Sequence, residues 1–308
     1  EAVAQFNLAM ALSMQANGRS QSRRGVRANY LMDHKFEKIE FRLLFDWRIE
    51  DADDDEGIVG PTVIFFGGAE VEVKSDGKVS ARLRGIYKRI FIDEVQDLSG
   101  WDLEILRFLF GSRTQIVVVG DPRQATCPTN NSNKNRQYKG AKIADFFTLL
   151  QNQGLCVIEH QAVSYRCNQT ISELADLLYP SLPASRSMNH ETTDMTGFYI
   201  RKEDVISYHR EHSPIVLRYN VSTQTEGLAA KNFGASKGLT FDRVIVFPTA
   251  GIVKFLRTRS GTELAEGTRA KLYVAITSAK HSVAFVCEPS PTLDKFYSVT
   301  DHLKMHHL

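Results

Sequence analysis

The residues of this sequence best placed to do chemistry are two short acidic clusters, Asp93-Glu94-Val95-Gln96-Asp97 and Gly120-Asp121-Pro122-Arg123-Gln124. A carboxylate at the end of a strand can hold a hard cation such as Mg²⁺ through oxygen. A second carboxylate beside it can orient and deprotonate a water. Asp93 fits the first task and Glu94 the second. Clustered carboxylates at 51–57 do not compete, because that run lacks the alternating ligand spacing and closing Glu of a calcium loop, and it reads as a solvated turn.

Both clusters follow apolar runs, Arg89-Ile90-Phe91-Ile92 and Gln115-Ile116-Val117-Val118-Val119, which read as buried parallel strands. The stretch Leu98 to Ser112, apolar at Leu103, Leu106, Phe108, Leu109 and Phe110, reads as the connecting helix. A right-handed crossover of this kind brings both acidic clusters to the carboxyl edge of one sheet, where open α/β sheets bind ligands.

Before these runs, Ala2–Leu12 and Phe36–Trp47 read as helices, Arg19, Arg23, Arg24 and Arg27 as a basic surface loop, and Pro61–Phe66 and Glu70–Lys74 as short strands joined to a turn at Ser75–Lys78. After them, Thr126–Gln137 reads as a polar insertion loop. Ile143–Leu150 reads as a helix and Leu155–His160 as a strand, with a domain boundary close by. Gln169–Leu178 reads as a helix and residues 180–213 as irregular. Strands follow at Ile215–Tyr219, Arg243–Phe247 and Ser282–Cys287, with a helix over Ala265–Ile276. This grammar predicts an α/β chain of two doubly wound parallel-sheet domains, 1–160 and 161–308.

Composition sets wide bounds. The 308 residues are 43% hydrophobic, enough for two cores, and the net charge of +2 neither demands nor forbids a polyanionic partner. The four cysteines show no CxxC spacing, which fits a reducing, cytoplasmic setting better than a disulfide scaffold or zinc site. No apolar run approaches a membrane span and no signal peptide is visible. His302, His306 and His307 read as part of a polar tail or tag remnant. A chain that opens on Glu1 rather than Met reads as a fragment or processed product.

One absence matters. A phosphate loop needs Gly-x-x-x-x-Gly-Lys-Ser/Thr between a strand and a helix. At Gly77-Lys78 the first glycine position holds Glu72 and Val79 follows the lysine, and no other stretch satisfies the pattern.

Five blocks in order resemble the UvrD/Rep-like superfamily 1 DNA helicases: the two acidic clusters, then Tyr165-Arg166, then Ser236-Lys237-Gly238-Leu239-Thr240-Phe241-Asp242, then Tyr273-Val274-Ala275-Ile276-Thr277-Ser278-Ala279-Lys280. The resemblance runs from about residue 85 to residue 287. It implies two RecA-like domains, ATP and Mg²⁺ in the cleft between them, and single-stranded DNA across their top. Position by position, it implies that Asp93 holds Mg²⁺, Glu94 activates water and Gln124 senses the γ-phosphate. Arg166 would act as an arginine finger, and Lys237 with Gly238 would form the second domain's coupling loop. Tyr138 would stack on a base, with Lys139, Ser236 and Thr240 beside the DNA.

The departures are specific. The phosphate loop and the upstream adenine-reading glutamine are missing. Ser278 stands where the family has a second arginine, Thr240 replaces a glutamate and Gly234 a histidine. Arg269 or Lys280 could substitute for that arginine, although a helix-surface charge explains each as well. The stretch 179–236 leaves no room for the large inserted domain of processive members. Three functions follow: a compact ATP-dependent translocase whose phosphate loop lies in a missing amino-terminal segment, a motor that takes that loop from a partner chain, or a degenerate, non-hydrolysing subunit that binds DNA or protein.

Overall fold

The computed structural model describes residue 87 and residues 89–129, 131–191 and 195–289, together with the backbone of 26–30 and 39–43. The expected helix at 2–12, Arg19, Arg23 and Arg24, the acidic turn, the elements between 61 and 78 and the tail histidines lie outside the described residues. Two compact units emerge, one of residues 1–122 and 128–158, the other of 123–127 and 159–308.

In the first unit, β1 (Val26–Tyr30) pairs antiparallel with β2 (Ile39–Leu43), Val26 opposite Leu43 and Tyr30 opposite Ile39. This corrects the helix expected over 36–47. Ile39, Phe41 and Leu43 alternate with Glu40 and Arg42, a period of two that suits a strand and not a helix. Arg27, expected in a loop, lies in β1.

β3 (Arg89–Ile92), α1 (Asp102–Phe110) and β4 (Gln115–Val118) form the crossover, and the strands run parallel with Arg89 opposite Gln115 and Ile92 opposite Val118. They are not the buried strands the sequence predicts: Phe91 is 49% exposed, and Val119, just past β4, is 59% exposed. Among the described residues this sheet has two strands. α1 starts later than Leu98 because a 3₁₀ turn at Val95–Asp97 and the positive φ of Gly100 intervene.

α2 (Ile143–Asn152) lays Ile143, Phe146 and Leu150 against Leu103 and Leu106 of α1 and against Val95 and Leu98 of the turn. Each fully buried side chain of this size contributes about 1.5–3 kcal/mol. The strand expected at 155–160 does not form. The Leu155 N–H closes the helix end on the Leu150 carbonyl at 3.0 Å, and Val157 is exposed, with no strand paired to it among the described residues.

The second unit begins with β5 (Val163–Ser164), α3 (Gln169–Asp176) and β6 (Arg186–Ser187), the two strands pairing in parallel. Asn168 caps α3, its side-chain oxygen accepting the Ile171 N–H at 3.2 Å. Then come β7 (Gly197–Ile200), α4 (Lys202–His212), β8 (Ile215–Arg218), β9 (Ala230–Asn232), β10 (Phe241–Phe247), α5 (Ala250–Thr258), α6 (Glu266–Thr277) and β11 (Ala279–Val286).

Five of these strands make one all-parallel sheet in the order β7-β11-β10-β8-β9. Val244, Ile245 and Val246 are wholly buried, as is Val283, the signature of a sheet covered on both faces. The region expected to be irregular, 180–213, thus holds β6, β7 and α4. α4 fully buries only Val205 and Tyr208, and of its other residues only Ile206 is apolar, so its periodicity is faint. α5 stands where the sequence reading placed no element, although Ile252, Phe255 and Leu256 carry the helical i, i+3, i+4 spacing. Among the described residues no helix is long and apolar enough to cross a membrane.

Candidate functional site

In the first unit the strand ladder runs on past β3 and β4. The Val119 N–H donates to the Ile92 carbonyl at 2.8 Å, and the Val95 N–H donates to the Val119 carbonyl at 3.1 Å. The two acidic motifs therefore leave the carboxyl edge side by side. Asp93 and Glu94 are both exposed there. Glu94 has φ 54° and ψ 36°, the left-handed region that costs a residue with a Cβ about 1–2 kcal/mol. Its N–H donates to Asp93 Oδ1 at 2.7 Å, and its carbonyl accepts the Asp97 N–H at 3.0 Å.

Beneath the pair lies Gln96, 2% exposed. Its Nε2 donates to Glu94 Oε2, and its Oε1 accepts the Asp121 N–H at 3.1 Å. Gly120 makes room for it, since a Cβ there would stand 2.4 Å from Gln96 Oε1 and 2.8 Å from Val95 Cγ1.

This donor set suits Mg²⁺ held in the manner of nucleotide sites. Asp93 offers hard carboxylate oxygen at the surface, and no cluster of three or more metal-ligating side chains occurs among the described residues. The ion would rest on one carboxylate, phosphate oxygens and water.

The polar segment after the second motif is tied down rather than free. The Thr129 N–H donates to the Asp97 carbonyl at 2.8 Å. Its hydroxyl accepts the Ser99 N–H at 3.1 Å and donates to the buried Asp102 carboxylate. The Asn135 amide donates to the Gly100 carbonyl at 2.9 Å and to Glu104 Oε1 at 2.7 Å. These contacts gather around the first turn of α1. They hold Tyr138 so that its ring meets Phe146 edge-on at 5.4 Å, half-buried, while Lys139 Nζ donates to Asn131 Oδ1 at 3.0 Å.

In the second unit, Arg123 is the residue that sequence reasoning missed. Its Nη1 donates to Asp176 Oδ1 and to Ser185 Oγ, each at 3.1 Å, and its guanidinium lies 4.8 Å from the centre of the Tyr273 ring. Tyr273 meets Tyr179 edge-on, and Arg269 stacks 4.9 Å over Tyr179. Arg269 is thus engaged in packing rather than presented as a spare finger. Only its position two residues after Asp121 could have pointed to Arg123; its partners lie more than fifty residues away. Gln124 ends the 3₁₀ turn Pro122–Gln124, its carbonyl accepting the Thr126 N–H at 2.8 Å.

Arg166 is half-buried, and its carbonyl accepts Asn189 Nδ2 at 2.8 Å. Asn189 Nδ2 also lies 3.5 Å from the Lys280 carbonyl, and the Asn168 N–H donates to that carbonyl at 3.1 Å. The Phe241 N–H donates to the Ser278 carbonyl at 2.8 Å. The structure thus brings the Arg166 loop, Thr240-Phe241 and Ser278–Lys280 together at the amino edge of the five-stranded sheet, where β10 and β11 begin.

Gly238 turns the chain with φ +74°, and the Lys237 N–H donates to the Gly234 carbonyl at 3.4 Å. Thr240 is exposed. Ser236 is 1% exposed and its hydroxyl donates to the Phe233 carbonyl at 2.8 Å, so it holds the turn from within. Ser278 is equally buried and bonded to the Ala275 carbonyl at 2.8 Å.

Residues 34–126 match the family described as UvrD/REP helicase N-terminal domain. No curated protein matches the chain. Among solved structures the chain is similar to "Complex structure of Arterivirus nonstructural protein 10 (helicase) with DNA", at 17% identity and a TM-score of 0.33, over 66% of this chain and 40% of that one. The chain therefore spans less than half the length of that helicase.

Proposed function

We propose that the chain is most of an ATP-dependent DNA helicase or translocase motor acting on single-stranded or partly duplex DNA, a reading supported by the match of residues 34–126 to the UvrD/REP helicase N-terminal domain. Asp93 holds Mg²⁺ and Glu94 orients and deprotonates the attacking water. Gln124 senses the γ-phosphate, and Arg166 neutralises charge on it. Lys237 and Gly238 form a coupling loop. Phosphoryl transfer asks for positioning and charge neutralisation more than covalent chemistry, which is what this set supplies. Bound Mg²⁺ neutralises charge on the β- and γ-phosphates.

The single observation that supports this reading best is the carboxylate pair on the shared carboxyl edge of β3 and β4, with Glu94 bonded through Gln96 to the backbone of Asp121. Tyr138, Lys139, Ser236 and Thr240 are the proposed DNA-binding set. Lys139 and Thr240 would touch phosphate or sugar, while Ser236, with its hydroxyl turned inward, would act through the shape of its turn.

The sequence holds no phosphate loop, so a further segment or a partner chain supplies the cradle for the β- and γ-phosphates. The 308 residues by themselves are expected to hydrolyse ATP poorly. The test is DNA-stimulated ATPase of the complete protein containing these residues. Glu94→Gln should lower turnover by about 10²–10⁴-fold, the usual worth of a general base. Single-stranded DNA affinity should fall steeply with salt.

One observation favours a second reading, a non-hydrolysing subunit that binds DNA or protein. At the position of the family's second arginine, Ser278 is buried against its own helix. Absence of DNA-stimulated turnover together with weak nucleotide binding by the complete protein would decide for it.

A further inference from the structure

Gln96 occupies a position that neither metal holding nor water activation explains. It does not face solvent, yet both ends of its amide are engaged, one with the Glu94 carboxylate and one with the Asp121 backbone. An amide is suited to this double task, because it donates at one end and accepts at the other in a single plane. Buried as it is, either end left unmatched would carry the full cost of a desolvated polar group.

Two further features match this placement. Glu94 leaves a left-handed backbone, a conformation that persists only where the surroundings over-determine it. Gly120 has no Cβ in the space that Gln96 Oε1 and Val95 Cγ1 fill.

We infer that Gln96 is a positioning residue for hydrolysis: a buried strut that fixes the Glu94 carboxylate against the backbone of the second acidic motif. It acts through Glu94 and touches no substrate, so the inference rests on the hydrolytic reading of Glu94. Chemically, the strut must be able to donate to a carboxylate and accept from an N–H at once. Methionine offers similar bulk but neither function, and glutamate at neutral pH offers acceptors only.

The test compares wild type, Gln96→Met, Gln96→Glu, Gly120→Ala and Glu94→Gln in DNA-stimulated ATPase of the complete protein, with a melting temperature for each. Gln96→Met should lower kcat by about 10- to 100-fold, the scale of a misplaced catalytic group. Its KM for ATP should stay within about threefold, because ground-state binding does not depend on the strut.

Gln96→Glu should lose as much, because a carboxylate at this position offers Glu94 no donor. Gly120→Ala should reproduce the loss by displacing Gln96 without altering it.

If Glu94→Gln abolishes turnover while folded Gln96→Met and Gly120→Ala keep kcat within twofold, the strut is overturned and the hydrolytic reading stands. If folded Gln96→Glu keeps kcat within twofold of wild type, donation to Glu94 is not needed and the inference is equally overturned. If Glu94→Gln has no effect, or the wild type shows no turnover, the hydrolytic reading fails and the role given to Gln96 fails with it.

Discussion

The two units solve opposite problems with the same element, a parallel strand pair. In the first, β3 and β4 carry functional candidates at their carboxyl ends and remain half-open, with Phe91 and Val119 in solvent. In the second, β10 and β11 lie inside a five-stranded sheet, and the candidates sit before their amino ends. The open pair keeps its site in order with polar links: the Gln96 strut, the Thr129 network and the Glu94 N–H on Asp93. The closed sheet fixes its loops through burial, with Ser236 and Ser278 drawn in and their hydroxyls satisfied by neighbouring carbonyls. The contrast is between a site held by a few directional bonds and a platform held by area. Perturbing the first should change chemistry more than stability, and perturbing the second the reverse.

The sharpest way to break that contrast is in the platform. Phe198 of β7 is 2% exposed and meets Tyr208 of α4 edge-on at 5.5 Å. Phe198→Ala should cost the second unit about 3–5 kcal/mol, the range for emptying a buried aromatic site. Urea unfolding should show it as a lowered midpoint with unchanged slope. A loss under about 1 kcal/mol would mean that the platform is not held by burial.

A smaller effect is expected at Arg123, where the chain enters the second unit for five residues. Arg123→Ala removes two hydrogen bonds and a stacked cation, while Asp176 keeps the Ser185 N–H and hydroxyl. About 2 kcal/mol should be lost, the scale of hydrogen bonds to a charged group. Limited proteolysis should then cut 123–127 sooner than in the wild type. Unchanged cleavage would show that other contacts hold the segment.

At Glu94 the comparison predicts two opposing terms. Glu94→Gly relieves a left-handed backbone that costs about 1–2 kcal/mol, but it leaves the buried Gln96 Nε2 without its carboxylate, at a cost of about 1–3 kcal/mol, so it should melt no higher than the wild type, and it should abolish turnover. Glu94→Gln keeps an acceptor for Gln96 and loses turnover alone. If Glu94→Gly melts clearly above Glu94→Gln, the Gln96 bond contributes little to the fold.

What could be read from the sequence follows the same division. The strands expected at Arg243–Phe247 and Ser282–Cys287 announce themselves because a sheet covered on both faces needs apolar residues in succession, as at Val244–Phe247 and Val283–Val286. The acid pair was legible because an apolar run ending in Asp-Glu carries its own chemistry. The alternation over Ile39–Leu43 is masked in a longer reading because apolar Phe36, Leu44, Phe45 and Trp47 flank it and give 36–47 a helical look. α4 escapes sequence reading because Val205, Ile206 and Tyr208 alone interrupt its polar residues, too few to mark a helical face. The strand expected at Leu155–His160 rests on its apolar start, and sequence does not reveal that the described residues offer it no pairing strand. Arg123, Gln96 and the packing of Tyr138 on Phe146 were out of reach for one reason: each role is defined by groups that only the folded chain brings close.

The smallest effect is expected at two cysteines that contrast the regions directly. Cys127 is exposed in the segment after Gln124, whereas Cys287 is buried just past the end of β11. Burial pushes the Cys287 thiol up from an ordinary 9.0 to about 12, against a lowering pull from Arg257 and with a small raise from Glu288. Below pH 9 the thiol is protonated in folded and unfolded chains alike, so it adds no pH dependence at neutrality. Above pH 9 the unfolded thiol ionises and the folded one does not, so stability is lost between about pH 9 and about 12. Tyrosines and lysines titrate over the same range, so the quantity to measure is the difference between wild type and Cys287→Ala. The two should have parallel melting curves from pH 6 to 8, and the wild type should fall faster from pH 9 upward. An alkylating reagent at pH 8 should label Cys127 in the native protein and reach Cys287 only on unfolding, because the thiolate is the reacting species. Native labelling of Cys287 at the rate of Cys127 would show that the end of the central sheet is as open as the segment it is contrasted with.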